Sequence, residues 1–423
     1  MKKIITSASL AALGVASVQA AYAPGLSPQE RSKLWTISAT LRGFYDDNYL
    51  TQTKTQKRDS WGLELSPSLG VNIALDQTLI GFSYQYGMRY YEDRQKNSAD
   101  HSHQIDFKLN HAFTERYKLS VTDNFVAAQE PQIIDPSGVT TTPLRTEGNN
   151  IRNTARIAFD AEVTPILELG VAYGNTVYDY DQRGPGSRSA LLDRVEHLPE
   201  LNARWKVMPN TVGLLGYQYS IVNHGSNDSL DQNTQFGAPF VDPEVRDSTS
   251  HFVFVGVDRT FTSQLSGQAR VGAQFTDYPD ALPGSPDSST GPYADANATW
   301  KYNPGSYLQL GVKHMRNQTD VAFTFSGTPT LDQESTSVYG VINHRLAPRL
   351  AGSFLGQYQH STFKGGNADG EVDHLVMAGV NFSYQVNAFL SADAGYNYDR
   401  LDSDLAGRSY TRNRVYLGLR ASY

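Results

Sequence analysis

Trp61-Gly62-Leu63-Glu64-Leu65-Ser66-Pro67-Ser68-Leu69-Gly70-Val71-Asn72-Ile73-Ala74-Leu75 decides the fold. Its odd positions are apolar and its even positions small or polar, a period of two over fifteen residues. Successive side chains of a strand point to opposite faces, so this strand has one apolar face and one wet face. After Asp76 and Gln77 the alternation resumes with Ile80, Phe82, Tyr84, Tyr86, Met88 and Tyr90. Two such strands joined by so short a turn form an antiparallel hairpin.

The pattern recurs outward in both directions. Ile105, Phe107, Leu109 and Phe113, then Tyr117, Leu119, Val121 and Phe125, alternate with polar residues. Further matches begin near Ile151, Leu167, Val195, Thr211, His251, Leu265, Ala294, Leu308, Val338, Leu350, His374, Ala388 and Val415. With Trp35 to Tyr45 as the first, about 18 strands are expected. Near His251 and Val338 the match is poorer, because Phe252, Phe254, Tyr339 and Val341 fall on the wet face. Short turns, such as Asp76-Gln77, Thr164-Pro165 and Thr262-Ser263, alternate with longer polar segments, such as 47–59, 223–246, 279–290 and 318–334. Runs of roughly 11 to 15 residues are long enough to cross a bilayer at a tilt. One sheet with an apolar outer face needs lipid, and closure removes its edges. The expectation is an all-β, transmembrane, antiparallel up-and-down barrel with short periplasmic turns and long extracellular loops.

Aromatic positions agree. Trp35, Phe113, Tyr117, Trp205, Trp300, Tyr302, Phe382, Tyr384 and Tyr423 fall at the short-turn end of the outward face. Trp61, Tyr90, Tyr219, Phe275 and Tyr398 fall near the other end, giving two girdles.

Composition excludes competing classes. The chain of 423 residues has no Cys, which removes disulfide scaffolds, cysteine enzymes and Cys-anchored lipoproteins. Its only long apolar run, Ile4 to Val18, follows Lys2 and Lys3 and precedes Val18-Gln19-Ala20, the layout of a secretory signal cleaved after Ala20. Residues 1–20 are thus read as a signal peptide, 21–33 as a short periplasmic segment and 34–423 as the barrel of a Gram-negative outer membrane. Losing Lys2 and Lys3 moves the net charge from -7 to -9, against a nucleic-acid partner. Ser27-Pro28-Gln29-Glu30 carries the start signals of a short helix at the periplasmic mouth.

Eighteen strands about 4.8 Å apart at a tilt near 40° give a backbone diameter of roughly 36 Å, so an aqueous lumen is expected. The inward register places Arg42, Glu64, Arg89, Asp106, Lys108, Lys118, Arg156, Asp160, Glu168, Arg194, Glu196, Glu200, Arg204, Arg270, Asp393, Arg414 and Arg420 on the pore lining. The signs nearly balance, predicting weak ion selectivity. On the sixth to eighth strands these charges form a ladder, with Glu162 beside it, that reads as ion pairs rather than a substrate track. Closure brings Arg42, Arg414 and Arg420 together as a basic patch. In the long loop 128–149, Pro131, Ile133, Ile134 and Pro136 are a candidate constriction.

Chemistry finds little support. His111, His344 and His374 have no Ser at triad spacing, and Asp46-Asp47 and Asp277/Asp280 lack an ordered set of calcium ligands. No catalytic residue, metal or cofactor is expected.

The last strand alternates Val415, Leu417, Leu419, Ala421 and Tyr423 with polar or small residues and stops on the aromatic. This resembles the terminal signal read by the outer-membrane assembly machinery. Leu65-Ser66-Pro67-Ser68-Leu69, with Tyr84-Gln85-Tyr86 and Arg89-Tyr90-Tyr91 and the later echo Leu198-Pro199-Glu200-Leu201, is similar to the putative β-barrel porin 2 family. The resemblance implies outer-membrane location and a pore or polysaccharide-export role. The partners expected are membrane lipid and lipopolysaccharide, the assembly machinery, and a small polar solute or polysaccharide. The function expected is a porin-like channel for diffusion of small polar solutes; the alternatives are an exopolysaccharide-export barrel and a plugged surface or structural barrel.

Overall fold

The computed structural model describes residues 33–128, 149–231, 240–322, 324 and 327–423. The signal segment, most of the following 21–33 segment with Ser27 to Glu30, and the constriction candidates Pro131, Ile133, Ile134 and Pro136 lie outside the described residues.

Eighteen strands form one antiparallel sheet. They are β1 (Trp35–Asp46), β2 (Ser60–Ala74), β3 (Thr78–Tyr91), β4 (Ala99–Ala112), β5 (Tyr117–Ala128), β6 (Asn150–Thr164), β7 (Leu167–Tyr180), β8 (Arg194–Met208) and β9 (Thr211–His224). The second half comprises β10 (Ser248–Thr260), β11 (Leu265–Asp277), β12 (Ser288–Asn303), β13 (Ser306–Asn317), β14 (Asp332–Ala347), β15 (Leu350–Lys364), β16 (Val372–Gln385), β17 (Leu390–Ser403) and β18 (Tyr410–Ser422). Each strand pairs with its sequence neighbours, and β1 pairs with β18 from Ser38↔Ser422 to Asp46↔Arg414, closing the barrel. β12 starts at Ser288, ahead of Ala294 where alternation becomes clear, because Ser288 and Thr290 take outward positions without an apolar side chain.

Strand β1 shows the logic of the wall. Trp35, Ile37 and Leu41 are exposed while Thr36, Ser38, Thr40 and Arg42 are buried, the inverse of a soluble strand. Leu417, Trp61 and Val271 are 68%, 62% and 61% exposed on the same outer face. Apolar surface this continuous is stable only against lipid.

Side-chain acceptors set the short turns. Thr114 Oγ1 accepts from the N–H groups of Arg116 and Tyr117, and Thr164 and Thr262 repeat the contact at Ile166/Leu167 and Gln264/Leu265. Asn387 does the same for Phe389 and Leu390. Each local bond satisfies turn donors within a few residues, so these strands reverse without a long loop.

Inside, aromatic rings lie flat over glycines of adjacent strands. Tyr339 covers Gly311, Tyr416 covers Gly395, Phe254 covers Gly216 and Phe44 covers Gly62; a Cβ at any of these glycines would overlap the ring. Gly311→Val is therefore expected to displace Tyr339 and destabilise the barrel by about 1 to 3 kcal/mol, read as a lower urea midpoint for the heat-modifiable folded band.

Candidate channel lining and extracellular cap

The pairing register puts all seventeen lumen candidates on the face opposite the exposed apolar side chains, for example Arg42↔Glu64↔Arg89 and Lys118↔Asp160. It also divides them into a wet wall and a dry one.

The wet wall is β5 to β8. Arg156 pairs with Glu200 at 2.9 Å, Arg204 with Glu168 at 2.9 Å and Asp160 at 3.4 Å, and Lys206 with Glu162 at 3.3 Å. Their side chains remain open: Arg156 is 44% exposed, Arg204 33% and Lys206 47%. Lys118, Arg156, Arg204 and Lys206 face Asp160, Glu162, Glu168 and Glu200, and Glu196 pairs with Arg194, so these five cations and five anions cancel.

The dry wall runs through the closure seam. Arg42 reaches Asp393 at 2.6 Å and Glu64 at 3.1 Å, Arg89 also reaches Glu64 at 3.0 Å, and Arg412 and Arg414 converge on the fully buried Asp46 at 2.6 and 2.9 Å. The Arg42 guanidinium also lies 4.8 Å from the centre of the Tyr416 ring. The basic patch expected from Arg42, Arg414 and Arg420 is thus largely paired rather than bare: Glu64 and Asp393 face Arg42, Asp46 faces Arg414, and Arg420 reaches Ser38 Oγ at 3.4 Å. Burying that many cations unpaired would cost far more than pairing them.

The other candidates are held locally. Asp106 accepts from Ser83, Gln104 and Asn124, Arg194 pairs with Glu196 at 2.7 Å over the Tyr178 ring, and Arg270 stands opposite Asp295, Lys108 opposite Gly81 and Thr122. Asp46 and Asp47, weighed above as calcium ligands, are taken by Arg412, Arg414 and Lys57.

Phe252, Phe254, Tyr339 and Val341 do face inward, but they are not wet. Phe252 and Phe254 pack with Leu214 and Tyr293, and Val341, Leu355, Met377, Leu375 and Leu401 are at most 1% exposed. The inner face of β14 to β17 is therefore packed, with these apolar side chains set among buried polar ones such as Gln333, Gln357, Gln359 and Asp373, whereas inward charges of β5 to β8 such as Arg156, Arg204 and Lys206 stay more exposed.

Above the lumen, loops meet. The β7–β8 loop holds a short helix, α1 (Arg188–Leu192), capped by Ser187, and a helical turn Pro243–Arg246 ends the β9–β10 loop. Arg246 is fully buried; it donates to the Leu191 carbonyl at 3.1 Å and the Thr319 carbonyl at 2.5 Å, joining three loops. Around it Leu230, Val241, Val245 and Ala322 form an apolar cluster with Leu191 and Leu282. Burial pushes the Arg246 guanidinium down to about 10, so it remains charged at neutral pH. Arg408 of the β17–β18 loop grips Asp320 of the β13–β14 loop at 2.9 and 2.6 Å and Asp373 at 2.8 Å. Arg188, from nearly the opposite side of the ring of strands, lies within the fields of Asp320 and Arg408. Loops from across the barrel thus converge over the mouth. Neither Arg246, Arg408 nor Asp320 was marked by any periodic signal in the sequence.

One cap carboxylate responds to pH. Desolvation, aided by nearby Asp242, pushes Asp247 up to about 6 while it accepts from the His224 backbone N–H at 2.7 Å. The folded carboxyl holds its proton more tightly than an unfolded Asp near 3.9, so the stabilisation is present at about pH 4 and lost as pH rises through 6. Proteolysis of the β9–β10 loop is expected to be slower at pH 5 than at pH 7.5, and Asp247→Asn to remove that difference.

A closed eighteen-stranded barrel with a lipid-facing exterior and a charged inner wall is an outer-membrane channel. Residues 35–423 match the family described as "Putative beta-barrel porin 2". The chain belongs to that family, and it is a porin-type channel for small solutes. No curated protein matches by sequence. Among solved structures it is similar to a BenF-like porin from Pseudomonas fluorescens Pf-5, at 10% identity and TM-score 0.48, over 92% of this chain and 99% of that one. It is also similar to Pseudomonas aeruginosa OccK2 (OpdF), solved in complex with glucuronate, at 11% identity and TM-score 0.46, over 92% and 98%. Acinetobacter baumannii OccAB4 matches at 12% identity and TM-score 0.44, over 94% and 100%.

Proposed function

We propose that the barrel lets small polar solutes diffuse across the outer membrane with weak ion selectivity, along the β5–β8 wall and under a loop cap tied by Arg246. The balance of five paired cations against five anions on that wall carries this reading. Wall charge sets the local ion concentration, and a balanced wall leaves it near that of bulk water. The protein acts by diffusion and not by catalysis, a reading supported by the ion pairs that engage most of the inward charges among the described residues. Export requires cleavage after Ala20, and Val415, Leu417, Leu419, Ala421 and Tyr423 are the strand the assembly machinery reads. The outward Tyr423, with its ring 5.5 Å from Trp35 and 6.1 Å from Phe389, supports that role.

Liposome swelling tests the solute class. Vesicles holding the refolded mature protein are expected to swell in isosmotic monosaccharide and to swell more slowly as the sugar lengthens. Passage of long polysaccharide at a comparable rate would favour the export alternative, and no swelling with a folded, inserted barrel would favour a plugged one.

A further inference from the structure

On the outward face, five tyrosines of odd-numbered strands are tied to histidines of the next strand in one repeated geometry. Tyr84 Oη lies 2.9 Å from His103 Nδ1 and Tyr86 Oη 2.7 Å from His101 Nδ1; the pairs Tyr173–His197, Tyr217–His251 and Tyr358–His374 measure 2.7, 2.8 and 2.8 Å. In every case the histidine stands two positions toward the long loops from the residue directly opposite the tyrosine: Tyr84 faces Ile105, Tyr173 faces Pro199, Tyr217 faces Val253 and Tyr358 faces Val376. Two further hairpins repeat the diagonal with other acceptors, Tyr45 to Asp59 at 3.0 Å and Tyr396 to Asn413 at 2.7 Å.

The belt lies on one side of the membrane. Its histidines fall within five residues of the long-loop ends of β4, β8, β10 and β16, and His314 and His360 join them at the same level of β13 and β15. At the short-turn end the outward face carries His111 and His344 among an otherwise Trp, Tyr and Phe girdle, and Tyr302 Oη to His344 Nδ1 at 2.9 Å is one such contact there, against five at the long-loop end. Identical hydrocarbon on both sides would not call for that difference, so the distinction lies in the headgroups. In the tautomer in which the phenol donates to Nδ1, the ring proton of His103, His197, His251 and His374 sits on Nε2, an N–H donor on a ring that is exposed or half-buried at headgroup depth. Such a donor, aimed outward at the membrane interface, is placed to meet an acceptor oxygen of a headgroup. Lys364 and Arg400 stand on the same face at this level, each beside a carboxylate, Glu334 and Asp402.

We propose that this Tyr–His belt is a binding surface for the phosphorylated glucosamine headgroup of the outer-leaflet glycolipid. Phosphate oxygens accept from the Nε2–H groups of His103, His197, His251 and His374, the tyrosines hold the rings in place, and the belt encircles much of the barrel so that several lipids bind side by side.

The test is thermal unfolding of the refolded mature barrel in detergent, titrated with bis-phosphorylated lipid A, with lipid A stripped of both phosphates, and with inorganic phosphate. A midpoint that rises with the phosphorylated lipid only is the expected result. The variant His103→Phe/His197→Phe/His251→Phe/His374→Phe, which keeps the rings and removes the donors, is expected to lose that rise. If that variant does not fold, the contrast between the two lipids in the native protein still decides. An equal rise with the dephosphorylated lipid, the same rise with inorganic phosphate alone, or an undiminished rise in the folded variant would overturn the proposal.

Discussion

Arg246→Ala is expected to open the extracellular mouth. The side chain is fully buried, and its two donor contacts are to main-chain carbonyls of two other loops, Leu191 and Thr319. Truncation leaves both carbonyls without that donor and a void in the Leu230, Val241, Val245 and Ala322 cluster. Hydrogen bonds from a charged donor contribute about 1.5 to 3 kcal/mol each, so about 3 kcal/mol of tethering disappears. Part of that loss is offset, since the site disfavours the charge and holds the guanidinium down to about 10. A cap opening at that cost shows as a larger and noisier single-channel conductance and as faster cleavage of the β9–β10 loop. Arg246→Met, which keeps apolar bulk without the donors, is expected to fall between the two. Unchanged conductance and cleavage in the Ala variant would mean that the three loops hold one another without Arg246.

The second large effect concerns selectivity. Reversing both ladder arginines, Arg156→Glu with Arg204→Glu, takes the accessible wall from balance to four units negative, since each reversal moves the sum by two. The reversal potential in a salt gradient is then expected to move several-fold toward cations. The shift should shrink above about 0.1 M salt, where the Debye length falls to roughly 10 Å and below. Arg156→Gln with Arg204→Gln is expected to shift it in the same direction by about half, with less repulsion among Asp160, Glu168 and Glu200. An unchanged reversal potential would place the passage elsewhere in the lumen.

The fold was legible because lipid enforces the period of two. The lipid-facing middle of each strand favours an apolar residue at alternate positions, and Trp61 to Leu75 shows it without exception. The inward face was equally legible, since parity fixes it once one strand is assigned. Which inward charges meet water was not. Arg42 and Arg156 look alike in sequence, but Arg42 lies between Glu64 and Asp393 over Tyr416, whereas Arg156 has only Glu200 and an open side. That difference comes from partners far away in the chain and from rings lying over glycines. Phe252 and Phe254 are misfits for an open lumen, and packing against Leu214 and Tyr293 gives them a place. The cap was the least legible part. Arg408 and Asp320 are 88 residues apart in loops without periodicity, and nothing local marks either one. The Tyr–His belt does leave a signal, tyrosines late in odd strands followed by histidines early in even ones, which depends on the strand pairing for its meaning.

The central claim is that this barrel holds a continuous aqueous path bordered by a charge-balanced wall. Single-channel recording of the refolded mature protein in a planar bilayer under a salt gradient tests it most directly. Discrete, steady openings with a reversal potential close to zero are the expected result. Silence from a barrel shown to be folded and inserted, or a reversal potential at the limit for one ion, would contradict it.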